Sequence, residues 1–146
     1  WNCGWSSDVC SSDLVKVVCG ATTAAIVARH LGRKLDIEQD PRSLVAPPRY
    51  SIAGIDLVTE GAVTLNQVYN VLDESPERHE EDSGVADLCG LLWATDRVNL
   101  TVGVAANPAN GALSFRQQGI LPRATIVPLL RQKLEKAGKL VLVRHV

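Results

Sequence analysis

The stretch VVCGATTAAIVARHLG, from Val17 to Gly32, decides the fold class of this chain. It continues the apolar, β-branched run LVKVVC, which predicts a strand that is buried on both faces and ends at Gly20. After Gly20, apolar residues recur at helical spacing as far as Leu31, and Gly32 is placed to end that helix. A buried strand that leads directly into a helix is typical of α/β proteins.

The same alternation continues to the end of the sequence. Further strands are predicted at residues 34–38, 55–59, 98–105 and 139–146, and further helices at 63–72, 85–95 and 124–137. The stretch QDPRSLVAPPRYSIAG, residues 39–54, contains three prolines and is expected to be a loop. We therefore predict a three-layer α/β fold, with a mainly parallel sheet of about five strands and helices on both faces.

Composition excludes several classes of partner. The 146 residues are 46% apolar, which is enough for one buried core. Fifteen basic and sixteen acidic side chains leave a formal charge of -1, so we expect no nucleic-acid partner. Because no apolar run approaches the roughly 20 residues of a membrane-spanning helix, and no signal peptide is visible, we expect no membrane partner and a cytoplasmic location.

The first fourteen residues, WNCGWSSDVCSSDL, differ from the remainder of the chain. They contain the near-repeat SSDV and SSDL, and they resemble a translated sequencing adapter of the kind that contaminates metagenomic reads. The alternative is a disordered tail. The sequence also contains no methionine. We therefore expect residues 15–146 to form a single α/β domain that is a fragment of a longer chain.

The sequence offers no recognisable catalytic or metal-binding motif. Its four cysteines lack C-x-x-C spacing, and Cys19 and Cys89 lie in apolar segments, which predicts core thiols. No serine or cysteine has an obvious histidine partner, and neither H-E-x-x-H nor a paired D-x-D occurs. We therefore predict that this sequence contains no catalytic residue and no metal ligand and binds no cofactor.

Three connections follow predicted strands, at the sheet edge where ligands of open parallel sheets bind. The candidate ligand-binding residues in these connections are Gly20, Thr22, Thr23, Thr59, Glu60 and Asn107. The first connection has the clearest chemistry, because free N–H groups at a helix N-terminus favour an anion and the two threonines add hydroxyl donors.

Four of these candidates also have a purely structural interpretation. Thr22 or Thr23 is equally suited to cap the helix. Glu60 either serves as a base or a ribose ligand, or lies in a first helical turn, where acidic residues are favoured. Asn107 precedes a proline and is typical of a turn. These alternatives stay open at the level of sequence.

Three segments, KVVCGATTAAIVARHLGRKL, GIDLVTEGAVTL and VGVAANPA, occur in this order. They resemble the non-catalytic region that follows the catalytic domain in some bacterial SpoIIE-family serine phosphatases, over about residues 15–146. Two positions depart from the family's C-G-G-T-T-A-N motif. Ala21 stands in place of the second glycine and narrows the approach to the loop, and Ala25 stands in place of the asparagine and lacks its amide.

In that family, phosphatase activity belongs to the preceding PPM-type domain, whose acidic residues hold manganese or magnesium ions. The resemblance does not cover that domain, so it implies an accessory, regulatory domain that binds a small anionic ligand or a partner such as the missing phosphatase domain. Two alternatives remain. One is a stand-alone α/β enzyme that acts on a nucleotide or phosphorylated metabolite with Glu60 as the base, and the other is a structural docking surface.

Overall fold

A computed structural model describes residues 14–38, 49–73, 83–105 and 119–146. The chain divides into two compact units, Trp1–Thr59 and Glu60–Val146. The single domain expected over residues 15–146 stays a prediction, and residues 1–13 of the expected leader lie outside the described residues.

The first unit contains a four-stranded sheet. Its elements are β1 (Val17–Cys19), α1 (Ala21–His30), β2 (Leu35–Glu38), β3 (Arg49–Ile52) and β4 (Leu57–Thr59). The strand order is β1-β4-β3-β2. Strands β1 and β4 run parallel, with Cys19 opposite Thr59, whereas β3 is antiparallel to both of its neighbours.

Helix α1 covers one face of this sheet. Ala24 and Ala28, one helical turn apart, form a buried cluster with Val18 of β1 and Val58 of β4. The small alanine side chains let the helix backbone approach the sheet closely, and the β-branched valines fit the pleated surface. The predicted strand and helix are confirmed. The prediction that the strand is buried on both faces is wrong, because Val17 and Cys19 are only partly buried, and Ile26 of the apolar repeat on α1 is exposed.

The second unit combines helices with a two-stranded sheet. Its elements are α2 (Ala62–Val71), α3 (Gly84–Ala94), β5 (Arg97–Val102), α4 (Arg123–Lys136) and β6 (Leu140–His145). Strands β5 and β6 are parallel, and their register runs from Arg97 opposite Leu140 to Val102 opposite His145. Helix α4 packs against β6 and α2, and α2 also packs against α3.

The core of the second unit is built mainly from its helices. The largest fully buried side chains are Val68, Cys89, Ile126 and Leu134. On α4, Leu130 lies between Ile126 and Leu134 at four-residue spacing and is also buried, so the three form one apolar stripe. The burial of Cys89 confirms the prediction of a core thiol at this position.

The α/β class is confirmed, but the prediction of a three-layer fold with a single, mainly parallel sheet is wrong. The described strands form two separate sheets, and the larger one is mixed. The larger sheet differs because residues 49–52, within the stretch expected to be a loop, form β3 between β2 and β4. This strand begins directly after two prolines and is too short to show a period-2 pattern. Residues 39–48 of that stretch lie outside the described residues.

Candidate functional site

The turn between β1 and α1 is shaped by Gly20. Its backbone has φ 115° and ψ 127°, a conformation that a residue with a Cβ adopts only under strain. The Gly20 N–H donates to the Thr59 carbonyl oxygen at 2.7 Å, and the Gly20 carbonyl accepts the first helical hydrogen bond from the Ala24 N–H at 2.8 Å. One glycine therefore ends the pairing of β1 with β4 and starts α1.

The amino-terminal end of α1 carries no capping side chain. Gly20 itself is the N-cap, so the alternative in which Thr22 or Thr23 caps the helix is wrong. Both threonines lie in the first turn of α1 and are exposed. The first-turn N–H groups and two hydroxyl groups therefore lie together at the positive end of a ten-residue helix, an arrangement that suits an anion.

Thr59 ends β4 with its hydroxyl group away from α1. Because strand side chains alternate between faces, and Val58 faces α1, the side chains of Thr59 and its partner Cys19 belong to the opposite face of the sheet. Thr59 is only 4% exposed, and its Oγ1 makes no well-formed hydrogen bond within the described part of the chain. The backbone of Thr59 thus positions the Gly20 turn, whereas its side chain lies elsewhere.

Cys19 retains some solvent-accessible surface, so it is only partly buried. Burial raises its pKa above the ordinary value, and the neighbouring Thr59 side chain acts in the opposite direction. A thiol with a raised pKa remains protonated near neutral pH and is a weak nucleophile. Cys19 therefore behaves as a packing residue at the edge of the core.

The other two candidates, Glu60 and Asn107, stay predictions. Glu60 is exposed and belongs to the second unit. Helix α2 begins at Ala62 with Gly61 as its N-cap, so Glu60 precedes the first helical turn, and the interpretation that placed it within that turn is wrong. Asn107 lies outside the described residues. The structure therefore joins Gly20, Thr22 and Thr23 with the Thr59 backbone.

A side chain that the sequence did not single out for a ligand lies in the second unit, beside a cavity of about 340 Å³. The Lys133 ammonium group lies 2.8 Å from the Asp73 carboxylate and 4.7 Å from the centre of the Tyr69 ring, and it donates to the Tyr69 carbonyl oxygen. On sequence grounds this lysine suits the dipole of its own helix α4. Instead it satisfies a carbonyl in the last turn of α2, a contact that only the packing of the two helices reveals.

The described residues contain no cluster of three or more histidine, cysteine or acidic side chains suited to a metal ion. Among the helices described, none is long and apolar enough to cross a membrane. Fold and turn geometry together define an α/β protein with an open helix N-terminus beside a parallel strand pair. No protein-family model, curated protein or solved structure matches the chain.

Proposed function

We propose that this chain is the cytoplasmic accessory domain of a SpoIIE-like protein serine phosphatase and that it binds a small anionic ligand or a partner through the amino-terminal end of α1. In this proposal the domain regulates a preceding PPM-type catalytic domain, and the manganese or magnesium ions of that domain supply the phosphoester chemistry. This chain contributes binding and no catalytic residue.

The observation that carries the proposal is the Gly20 turn. The positive φ of Gly20 lets α1 begin directly after β1, and no side chain caps this helix. Exposed hydroxyl groups at Thr22 and Thr23 add donors whose orientation can adapt to an oxyanion. This turn also lies within the first of the segments that carry the resemblance.

The two departures from the family motif have different local consequences. Ala25 is exposed on α1, so the amide of an asparagine at this position would be in contact with solvent. Ala21 is partly buried at the first helical position, where its methyl group stands beside the first free N–H groups. We therefore expect Ala21, rather than Ala25, to limit how closely an anion approaches the backbone.

A thermal-shift titration tests the proposal. Inorganic phosphate, a set of nucleotides and small carboxylic acids are added at equal ionic strength, and at least one is expected to raise the melting temperature by a few degrees through preferential binding to the folded state. The double variant Thr22→Val and Thr23→Val keeps the β-branched shape but removes both hydroxyl groups, so it should reduce this rise. Ala21→Gly should increase it.

Thr101→Val is the control, because Thr101 is an exposed threonine on β5 and lies in neither helix N-terminus. It should leave the thermal shift unchanged. If no ligand raises the melting temperature of the wild type, the small-molecule form of the proposal fails. The enzymatic alternative requires turnover of a nucleotide or phosphorylated metabolite that Glu60→Gln abolishes while the protein stays folded.

A further inference from the structure

Strands β5 and β6, together with α4, form a β-α-β arrangement with a cavity at one end. The two strands are parallel neighbours, and their last paired residues are Val102 and His145. The amino-terminal half of α4 lies over these carboxyl ends, since Arg123 and Val127 line the same cavity as Val102 and His145. Crevices at the carboxyl ends of parallel strands are the usual ligand sites of α/β sheets.

The cavity has a volume of about 200 Å³ and a strongly basic lining. Arg123, Arg131 and His145 all contribute to it, and among the described residues that line it none is acidic. The two arginines lie eight residues apart on α4, about 2.2 turns, and both line the crevice. Together they concentrate positive charge there.

Arg123 and Arg131 use only part of their hydrogen-bonding capacity within the described residues. One terminal nitrogen of Arg123, Nη2, donates to the Ala105 carbonyl oxygen at 2.7 Å. Arg131 donates from Nε to the Glu135 carboxylate at 2.8 Å, in an ion pair whose partners are both exposed and therefore screened. In the described part of the chain these are their hydrogen bonds, so further guanidinium N–H groups remain for another acceptor.

The helix and the cavity walls favour the same kind of ligand. Helix α4 starts after Pro122 without a capping side chain, so its first turn adds partial positive charge beside Arg123. Val102, Val127 and Val143 provide apolar walls. Hydrogen bonds from a guanidinium group to an oxyanion are charge-assisted and stronger than those between neutral groups.

We propose that this cavity, which we call the α4 crevice, binds a small oxyanion, either a phosphate group or a carboxylate. Guanidinium groups recognise both through paired N–H donors. The volume is below the range of about 300–1,000 Å³ that is typical of drug-sized ligands, so the occupant is an inorganic ion or a short organic acid. The valine walls favour an acid with a short apolar chain.

This inference goes beyond the proposed function, because it concerns a different set of residues in the second unit. The two ideas also fail separately. A titration followed by ¹H–¹⁵N correlation spectra reports binding residue by residue, so shifts at residues 20–24 test the α1 turn, whereas shifts at 102, 123–131 and 143–145 test the α4 crevice.

The experiment titrates the full 146-residue chain with inorganic phosphate and, separately, with butyrate, against sodium chloride of matched ionic strength. We expect saturable shifts of the crevice residues with at least one probe. Arg131→Gln should weaken this binding about tenfold, which corresponds to the loss of one charge-assisted hydrogen bond. His145→Gln is the second variant, because it tests the crevice without disturbing the pair between Arg131 and Glu135.

Arg144→Gln is the matched control. Arg144 is exposed and neighbours His145 on β6, but it points to the other face of the strand. Loss of binding in Arg131→Gln with little change in Arg144→Gln supports the proposal, and the probe that binds more tightly identifies the anion class. Equal weakening in both variants would show nonspecific attraction and overturn it, as would the absence of saturable shifts at the crevice with both probes.

Discussion

Asn66 and Leu121 are joined by a pair of hydrogen bonds across 55 positions of the chain. The Asn66 side-chain amide donates to the Leu121 carbonyl oxygen at 2.9 Å, and its oxygen accepts from the Leu121 N–H at the same distance. The amide also donates to the Ala62 carbonyl oxygen one turn earlier on α2, at 2.7 Å. This buried side chain therefore fixes the segment that leads into α4.

Asn66→Ala is expected to lower the free energy of unfolding by about 1–3 kcal/mol, because it leaves the partly buried backbone groups of Leu121 without partners. Asn70→Ala is the control. Asn70 lies one turn further along the same helix but is exposed, so we expect a change within about 0.5 kcal/mol. Urea unfolding followed by circular dichroism measures both values. Equal effects for the two variants would contradict the role assigned to Asn66.

Gly20→Ala is expected to destabilise the protein by about 1–3 kcal/mol, because the alanine Cβ is strained at the φ of 115° that the turn requires. Gly90→Ala should have the opposite sign. Gly90 lies inside α3, and a Cβ built there meets no atom within 4 Å, so the variant gains about 0.5–1 kcal/mol of helix propensity. The urea unfolding midpoints of the two variants, each compared with that of the wild type, test whether the two changes in stability have opposite signs. A stabilising Gly20→Ala would refute the turn geometry.

How far the sequence predicts this fold depends on the length of each pattern. Helix α1 was expected because alanine and β-branched residues repeat at helical spacing after a buried strand, and Ala24 and Ala28 do face the sheet. Strand β3 was missed because its two apolar residues, Tyr50 and Ile52, are too few to show a period-2 pattern. Short antiparallel strands depend on partners that are distant in sequence, so local patterns carry little information about them.

The candidate residues show the same limit. The contact between Gly20 and Thr59 follows from the rule that neighbouring parallel strands end at one edge, and the sequence placed both residues after buried strands. The charged lining of the α4 crevice was not predicted. Arg131 reads as an ordinary surface residue of an amphipathic helix, and His145 comes to the crevice only because β6 pairs with β5 in the observed register.

Lys133→Met is expected to reduce the free energy of unfolding by about 1–3 kcal/mol, because it removes the charged donor to the Tyr69 carbonyl oxygen and the cation above the Tyr69 ring. The ion pair with Asp73 contributes little, since that carboxylate is 76% exposed. Lys136→Met, an exposed substitution one turn later, is the control and should be nearly neutral. Raising the salt concentration should leave most of the difference in place; its disappearance would mean that the exposed ion pair dominates.

The raised pKa of Cys19 predicts how stability changes with pH. The free thiol of the unfolded chain titrates near its ordinary value of 9.0, whereas burial holds the folded-state pKa higher. Below the unfolded pKa both states are protonated and the contribution to stability is fully present. As the pH rises above about 9 the unfolded state releases its proton first, so stability falls until the folded thiol also ionises.

Cys19→Ala should therefore flatten the decline in unfolding free energy above about pH 9, the ordinary pKa of the thiol. The measurement is a series of urea titrations under reducing conditions at half-unit pH steps. Cys89→Ala provides the comparison, because burial also raises the pKa of Cys89 while the Lys133 ammonium group opposes that rise. An alkaline decline as steep in Cys19→Ala as in the wild type would show that the Cys19 thiol titrates alike in both states and is not desolvated by folding.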